Sequence, residues 1–432
     1  MNSYLNRLFH LTAHHTTPRI EILAGMTTFL TMSYIIFINP TFLAQAGMDQ
    51  GAVFVATCLA AAIGSLLMGL FANYPIALAP GMGLNAYFTY GVVLGAGYPW
   101  QTALGAVFIA GVIFLALSIL PIREYIVNII PKSLKLAIVA GIGLFLAIIG
   151  FKSAGLITGS SATLVTMGNI HSPTVLLSVF GFFLIVGLDS MGIKGAVIIS
   201  ILVVSTLGLM LGYGKFTGIF SMPPSIMPTF LQMDLKSAFN PGLTSIILAF
   251  LFVDLFDNTG TLIAVAHRAG LMGPDGKLPR ISRALTADSL AAIISAIFGT
   301  STTTSYVESI VGARVGGRTG LTAIVVAGCF LLALFFAPLA SSIQIYATAP
   351  ALVYVACLMT RAFTEIDWDD ISEYTPAVIT ALSMPLTFSV ADGISFGFIS
   401  YVCIKLLSGR LRDLNAGMVI LTLVFIAKYA YL

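Results

Sequence analysis

From Ile20 to the C-terminus the chain is built of apolar runs of 17 to 25 residues divided by polar connections. Each run is long enough to cross roughly 30 Å of hydrocarbon as a helix. The runs are continuous rather than alternating, which excludes a transmembrane β-barrel. The pattern predicts membrane segments at 20–41, 52–73, 76–97, 100–121, 133–151, 173–190, 194–213, 242–266, 283–298, 300–315, 319–341, 344–361, 373–390 and 392–408, fourteen in all. A further apolar stretch, 415–432, suits either a fifteenth crossing or a helix lying on the membrane surface. The longest polar connections, 152–172 and 214–241, read as loops, so the chain is an all-α polytopic membrane protein without a soluble domain.

Two segments break the helical pattern. Segment 3, "IALAPGMGLNAYFTYG", follows Pro75 and is interrupted by Pro80, Gly81 and Gly83, and a helix does not tolerate Pro-Gly-x-Gly in its middle. Segment 10, "GTSTTTSYVESIVG", is a string of hydroxyl and β-branched residues, too polar for lipid and suited to extended chain. Each is the third of its run of seven, and Asn85 and Glu308 stand 223 residues apart. A duplicated unit of seven segments lies inverted in its second copy, because seven is odd. Irregular backbone at membrane depth is allowed only where it lines a cavity, and paired broken segments mark a transporter's binding site. Short extended strands at 76–79 and 300–304 are expected, each followed by a half-helix whose first N–H groups point into the protein. A pair of kinked helices packed tightly is the alternative.

Composition agrees with this picture: 58% of residues are hydrophobic, 9% are charged and the mean hydropathy is +1.01, whereas about a quarter of a soluble domain is charged. The net charge of +3 sits in connections, where it speaks to topology and not to a nucleic-acid partner. With the N-terminus cytoplasmic, Arg123, Lys132, Lys135, Arg268, Lys277, Arg280, Arg283, Arg314, Arg318, Arg410 and Arg412 all fall inside, against Lys152, Lys215, Lys236 and Lys428 outside. Residues 1–19 have no apolar core or small-residue cleavage site, so no cleaved signal is expected. Cys58, Cys329, Cys357 and Cys403 are scattered through apolar runs and read as packing residues.

Three carboxylates lie deep, Asp254, Asp257 and Glu308, while Asp288 and Asp392 fall nearer to segment ends. An acid at mid-membrane costs several kcal/mol unless paired, hydrated or protonated, so each is a functional candidate. Asp254 and Asp257 are spaced i, i+3 on one helical face, which Asn258 and Thr261 extend, and no Lys or Arg lies at that depth. Acids held together in low dielectric suit a group that exchanges a proton near neutral pH. The alternative is an aspartate bonded to the backbone of a broken segment. Acceptors of this kind facing helix N–H donors match a neutral, flat molecule with ring N–H groups and carbonyl or ring-nitrogen acceptors. They would repel an inorganic anion. The oxygen cage or His and Cys set of a metal site is missing, as are a nucleophile motif and a cofactor signature. An enzyme is therefore disfavoured, and no cofactor is called for beyond the proton as coupling ion.

The stretches "GMTTFLTMSYIIFINP" (25–40), "MGLFANYPIALAPGMGLNAYF" (68–88), "LFDNTGTL" (255–262), "TSYVES" (304–309) and "GGRTGLTA" (316–323) resemble the AzgA-like purine permeases of the nucleobase-cation symporter family 2. The resemblance implies two inverted repeats of seven segments. A core domain (20–122 and 242–343) would move like an elevator against a gate domain (123–241 and 344–432), after a cytoplasmic stretch 1–19. It also implies a homodimer in a bacterial inner membrane and proton-coupled purine uptake. Asp257 and Glu308 match the family's substrate-holding carboxylates, whereas Asp254 stands where the family carries other residues. "GMGLNA" resembles the hypoxanthine and guanine branch, in which the amide of Asn85 would donate to a 6-oxo group. On this reading Glu308 and Asp257 accept from purine N–H groups. Asn85 and amides near Gly83, Leu84 and Tyr306 address the oxygen and ring nitrogens. Phe88, Tyr34 or Phe256 covers a ring face, Thr28, Thr31 and Thr261 complete the polar wall, and Glu308, Asp257 and Asp254 carry the proton. An adenine-preferring permease is the first alternative; an anion exchanger or channel of similar architecture is the second.

Overall fold

The structure, a computed structural model, describes residues 2–119, 130–160, 163–272 and 278–431; Arg123 and Lys277 of the charge pattern lie outside the described residues. All fourteen expected segments form. Segment 1 is a pair of helices, Pro18–Met32 and Ile35–Gln45, broken at Ser33 and Tyr34. Segment 2 runs Gln50–Leu67 and widens into a π-helical turn, Met68–Ala72. Segments 4 (Trp100–Ile119), 5 (Lys132–Ser153), 6 (Pro173–Ser190) and 7 (Ala196–Met210) complete the first run. The second run holds segments 8 (Thr244–Arg268), 9 (Ile281–Phe298), 11 (Gly320–Ser342), 12 (Ile345–Thr360), 13 (Ile371–Thr387) and 14 (Val390–Leu407).

Among the described residues nine of these segments are long and apolar enough to cross a membrane on length and composition alone. The exceptions are physically informative. Segments 3 and 10 are broken, segment 7 is short, segment 13 contains Pro376 and Pro385, and in segment 8 the apolar stretch is confined to Thr244–Leu255, which already includes Asp254.

Among the described residues there are two sheets of two strands each. In the first, β1 (Leu78–Pro80) of segment 3 pairs antiparallel with β4 (Thr303–Ser305) of segment 10. In the second, β2 (Ile157–Ser160) and β3 (Leu164–Met167) make a hairpin in a connection read from sequence as a loop. The 214–241 connection likewise contains a short helix, Leu235–Ala238.

Packing partners fall into two sets. Segments 1, 2, 3, 4, 8, 9, 10 and 11 pack chiefly among themselves, as do 5, 6, 7, 12, 13 and 14. The last helix, Ala416–Tyr431, runs back along segment 14: Phe425 packs edge-on against Phe398, Tyr429 stacks on Phe396, and the Tyr429 hydroxyl donates to Asp392 Oδ1 at 2.7 Å. It accompanies the bundle instead of lying across its end. Of the cysteines only Cys58 is buried, so Cys357 and Cys403, which are exposed, do not serve the packing role expected of them.

Candidate functional site

The site is organised by the pairing of the two broken segments. Leu78 lies opposite Ser305, Ala79 opposite Thr304 and Pro80 opposite Thr303. The ladder continues at both ends, where Gly81 N–H donates to Thr302 O at 3.0 Å and Tyr306 N–H to Ala77 O at 2.9 Å. Side chains satisfy the rest. Ser65 Oγ accepts from Leu78 N–H at 2.9 Å and donates to Leu78 O at 3.1 Å, Ser309 Oγ accepts from Ala77 N–H at 3.0 Å, and the Tyr306 hydroxyl donates to Pro80 O at 2.6 Å. Asn39 Nδ2 reaches Thr57 Oγ1 at 2.7 Å and Thr300 Oγ1 at 2.8 Å. Non-helical backbone at membrane depth persists here because protein groups satisfy it. The strands lie one to three residues beyond the stretches expected, since the pairing partner, and not the local run of hydroxyl residues, selects which residues extend.

After β1 the chain makes a short α-helical turn, Met82–Ala86, which continues as a π-helix, Tyr87–Gly95. A Cβ on Gly83 would sit 2.5 Å from Ile142 Cγ2, so glycine is what lets this half-helix touch segment 5. Leu84, Asn85 and Phe88 are enclosed. After β4, a turn at Tyr306 to Glu308 leads into the helix Ser309–Val315. Glu308 is partly accessible, and the Tyr34 hydroxyl, at the break in segment 1, donates to its Oε1 at 2.5 Å.

Segment 8 passes beside this junction as an unbroken helix. Of the polar residues singled out on it, Asp254, Asn258 and Thr261 are buried and Asp257 is partly accessible. The charge of Glu308 acts on Asp257, and also on Tyr34, Tyr306 and Tyr354. The two acids singled out from sequence are thus electrostatic neighbours, and among the described residues no cation is recorded acting on either.

Other assignments change in detail. The N–H of Tyr306 is spent on Ala77 O, so its amide extends the ladder and is not available to a ligand. Tyr34, weighed as a ring cover, also donates to Glu308. Thr28 is fully buried with its hydroxyl against Gly312, where an added Cβ would approach Oγ1 to 2.1 Å. Thr31 bonds back to Thr28 O at 2.8 Å in its own helix. Asp288 is buried in segment 9, and Asp392 opens segment 14. The side chain of Phe256 lies outside the described residues.

The Permease family model, Xan_ur_permease, matches residues 19–396. The chain belongs to this family of membrane permeases. Adenine permease AdeP of Escherichia coli (strain K12) is 49% identical to it over 428 residues, covering 99% of this chain and 96% of that protein. Guanine/hypoxanthine permease PbuG of Bacillus subtilis (strain 168) is 48% identical over 429 residues, covering 96% and 97%. In fold the permease is similar to the transmembrane domain of the cyanobacterial bicarbonate transporter BicA, with a TM-score of 0.61 at 17% identity over 89% of this chain and 97% of that one.

Sequence reasoning did not single out several residues that build this permease's site. Asn39, Ser65, Ser301 and Ser309 fix the strand junction. Tyr354 of segment 12 interacts with Asp189 of segment 6 and feels the charge of Glu308 across the boundary between the two packing sets. Asn39 lies inside the stretch 25–40, and Ser301 and Ser309 inside the hydroxyl-rich run of segment 10, but nothing local marks any of them as a partner of the facing strand.

Proposed function

We propose that this permease takes up purine nucleobases together with protons, favouring 6-oxopurines such as hypoxanthine and guanine. Segments 1–4 and 8–11 act as a core that slides against a gate of segments 5–7 and 12–14. The setting is a bacterial inner membrane with the N-terminus cytoplasmic, and two copies associate as a homodimer. The observation that carries the reading is Glu308: a deep, partly accessible carboxylate on the turn after β4, held by Tyr34 and within reach of the Asp257 charge. Purine N–H groups supply the donors that two such acceptors require, and protonation of either acid changes both ligand affinity and the balance between inward and outward states.

Asn85, whose buried Nδ2 has no partner among the described residues, offers a donor for a 6-oxo group. An adenine-preferring reading stands beside this one, because AdeP and PbuG are almost equally similar to the chain. An anion carrier is disfavoured by two uncompensated acids in the place where the anion would bind.

The test is uptake of radiolabelled hypoxanthine by cells lacking their own purine permeases, with a nucleobase competition panel and a proton uncoupler. Asp257→Asn and Glu308→Gln are each expected to abolish uptake while the protein still reaches the membrane. Full uptake and affinity in both variants would remove the acids from the mechanism, and indifference to the uncoupler would remove the proton.

A further inference from the structure

Two buried asparagines serve the strand junction, and their surroundings differ in one respect. Asn39 is fixed: the Thr57 hydroxyl donates to Val53 O at 2.7 Å, so Thr57 Oγ1 receives the Asn39 amide N–H at 2.7 Å as an acceptor only. Asn39 therefore has a single possible orientation. Asn85, one turn into the half-helix of segment 3, meets Ser301 of segment 10 just beyond the end of the ladder, and the Ser301 hydroxyl donates to Asn85 Oδ1. Both residues are fully buried, and Asn85 Nδ2 has no partner among the described residues. The Ser301 hydroxyl has no second partner among them either. A hydroxyl free of other obligations can donate or accept with equal ease, and the two ends of a primary amide have nearly the same shape.

We infer that Ser301 and Asn85 form an invertible hydrogen-bonded pair through which the site accepts both 6-oxo and 6-amino purines. With Ser301 donating to Oδ1, Asn85 presents N–H to a 6-oxo group. With Ser301 accepting from Nδ2, Asn85 presents its carbonyl oxygen to a 6-amino group. In each state Ser301 satisfies the far end of the amide, so neither ligand leaves a buried polar group unmatched. Ser301 is a positioning residue that never touches the ligand. The inference rests on the purine reading above and adds to it a prediction of breadth.

The experiment uses the full chain in cells without their own purine permeases. It measures half-inhibition concentrations of hypoxanthine, adenine and unsubstituted purine, which carries only hydrogen at C6, against labelled hypoxanthine and labelled adenine. In the parent protein, hypoxanthine and adenine are expected within about tenfold of each other, whereas a fixed donor would reject the 6-amino compound by orders of magnitude. Ser301→Ala is expected to weaken both by about tenfold through loss of amide positioning and to leave unsubstituted purine within threefold. Ser301→Thr, which keeps the hydroxyl, retains both. A discrimination above a hundredfold in the parent overturns the inference and leaves the purine reading intact. So does a Ser301→Ala effect that weakens all three compounds alike, the mark of a merely structural role. If Ser301→Ala fails to reach the membrane, the parent ratio and Ser301→Thr still decide. No uptake of any purine by the parent would sink the purine reading itself.

Discussion

Tyr34 sets its hydroxyl 2.5 Å from Glu308 Oε1 at the only break in segment 1, so one residue joins the hinge of that segment to the acid on the turn of segment 10. A hydrogen bond to a charged group contributes about 1.5–3 kcal/mol, and here it also fixes the direction of the carboxylate. Tyr34→Phe keeps the ring and removes only the donor. Its expected outcome is a KM for hypoxanthine raised about tenfold, read by initial-rate uptake at matched expression; an unchanged KM would show that Glu308 is oriented by other means. Glu21 presents a second residue-scale case. It is fully buried in the first turn of segment 1 and accepts from the N–H groups of Arg318, Thr319 and Thr322 at 2.9, 3.3 and 3.2 Å, and from Thr322 Oγ1 at 2.6 Å. A carboxylate on the first N–H groups of segment 11 caps a helix from outside its own chain neighbourhood. Glu21→Ala leaves several buried donors without an acceptor and is expected to cost about 2–4 kcal/mol. The check is a lowered thermal midpoint in detergent that Glu21→Gln, which keeps an acceptor, largely restores.

At the scale of elements, the membrane segments were legible because hydrophobic length decides whether a helix can cross, and that length is written locally. The strand pairing was not. Leu78 and Ser305 meet across more than two hundred residues of chain, and a run such as Thr300 to Ser305 contains no local signal of register. Ser301 and Tyr354 escaped notice for the same reason, since a hydroxyl gains its role from a tertiary partner. Proline and glycine spoke plainly for segment 3, and the uncompensated acids for segments 8 and 10, because both violate rules that hold everywhere else in the membrane. The far end of segments 13 and 14 holds an ionic element that sequence showed only as scattered charges. Lys405, whose side chain is 1% exposed, lies 2.7 Å from Glu373 and 3.0 Å from Asp413, and Glu373 also accepts from Ser133 of segment 5 at 2.5 Å and from Tyr401 at 2.9 Å. Removing one partner of a buried pair costs roughly 3–5 kcal/mol; because Glu373 and Asp413 keep some contact with water, Lys405→Met belongs near 3. A variant as stable as the parent to heating in detergent would show that the cluster contributes little. Beside it, hydrogen bonds from Ser372 and from Arg410 hold the Asp370 carboxyl down at about 2. A lowered folded-state value means that its contribution is complete above the unfolded value near 4 and fades only as pH falls through about 2. The difference in thermal midpoint between the parent and Asp370→Asn is therefore expected to stay constant from about pH 7 to pH 5.

For the whole molecule, the question is whether the two packing sets move past each other. Their boundary is thin compared with the contacts inside each set: segments 7 and 12 reach segment 1, segment 5 reaches the half-helix of segment 3, and segments 5 and 14 reach segment 8. A thin seam between two well-packed bodies is the physical condition for rigid-body sliding. At one point the seam is narrow enough to be closed covalently. A Cβ built on Gly195, at the start of segment 7, would lie 3.8 Å from Leu30 Cβ in segment 1, which is about the mean Cβ separation in a disulfide. Gly195 has a φ of 78°, so a cysteine there carries a modest strain of about 1 kcal/mol, small beside the bond it forms. In a background with Cys58, Cys329, Cys357 and Cys403 replaced by alanine or serine, the pair Leu30→Cys and Gly195→Cys is expected to cross-link under mild oxidation and to stop uptake. Reduction is expected to restore it to the level of the reduced double variant, and each single variant should be indifferent to oxidant. Binding of labelled hypoxanthine should survive the cross-link, because the bond joins two bodies without touching Asp257 or Glu308. Uptake that continues with the disulfide formed, as shown by a mobility shift on a gel, would mean that this seam does not slide during transport.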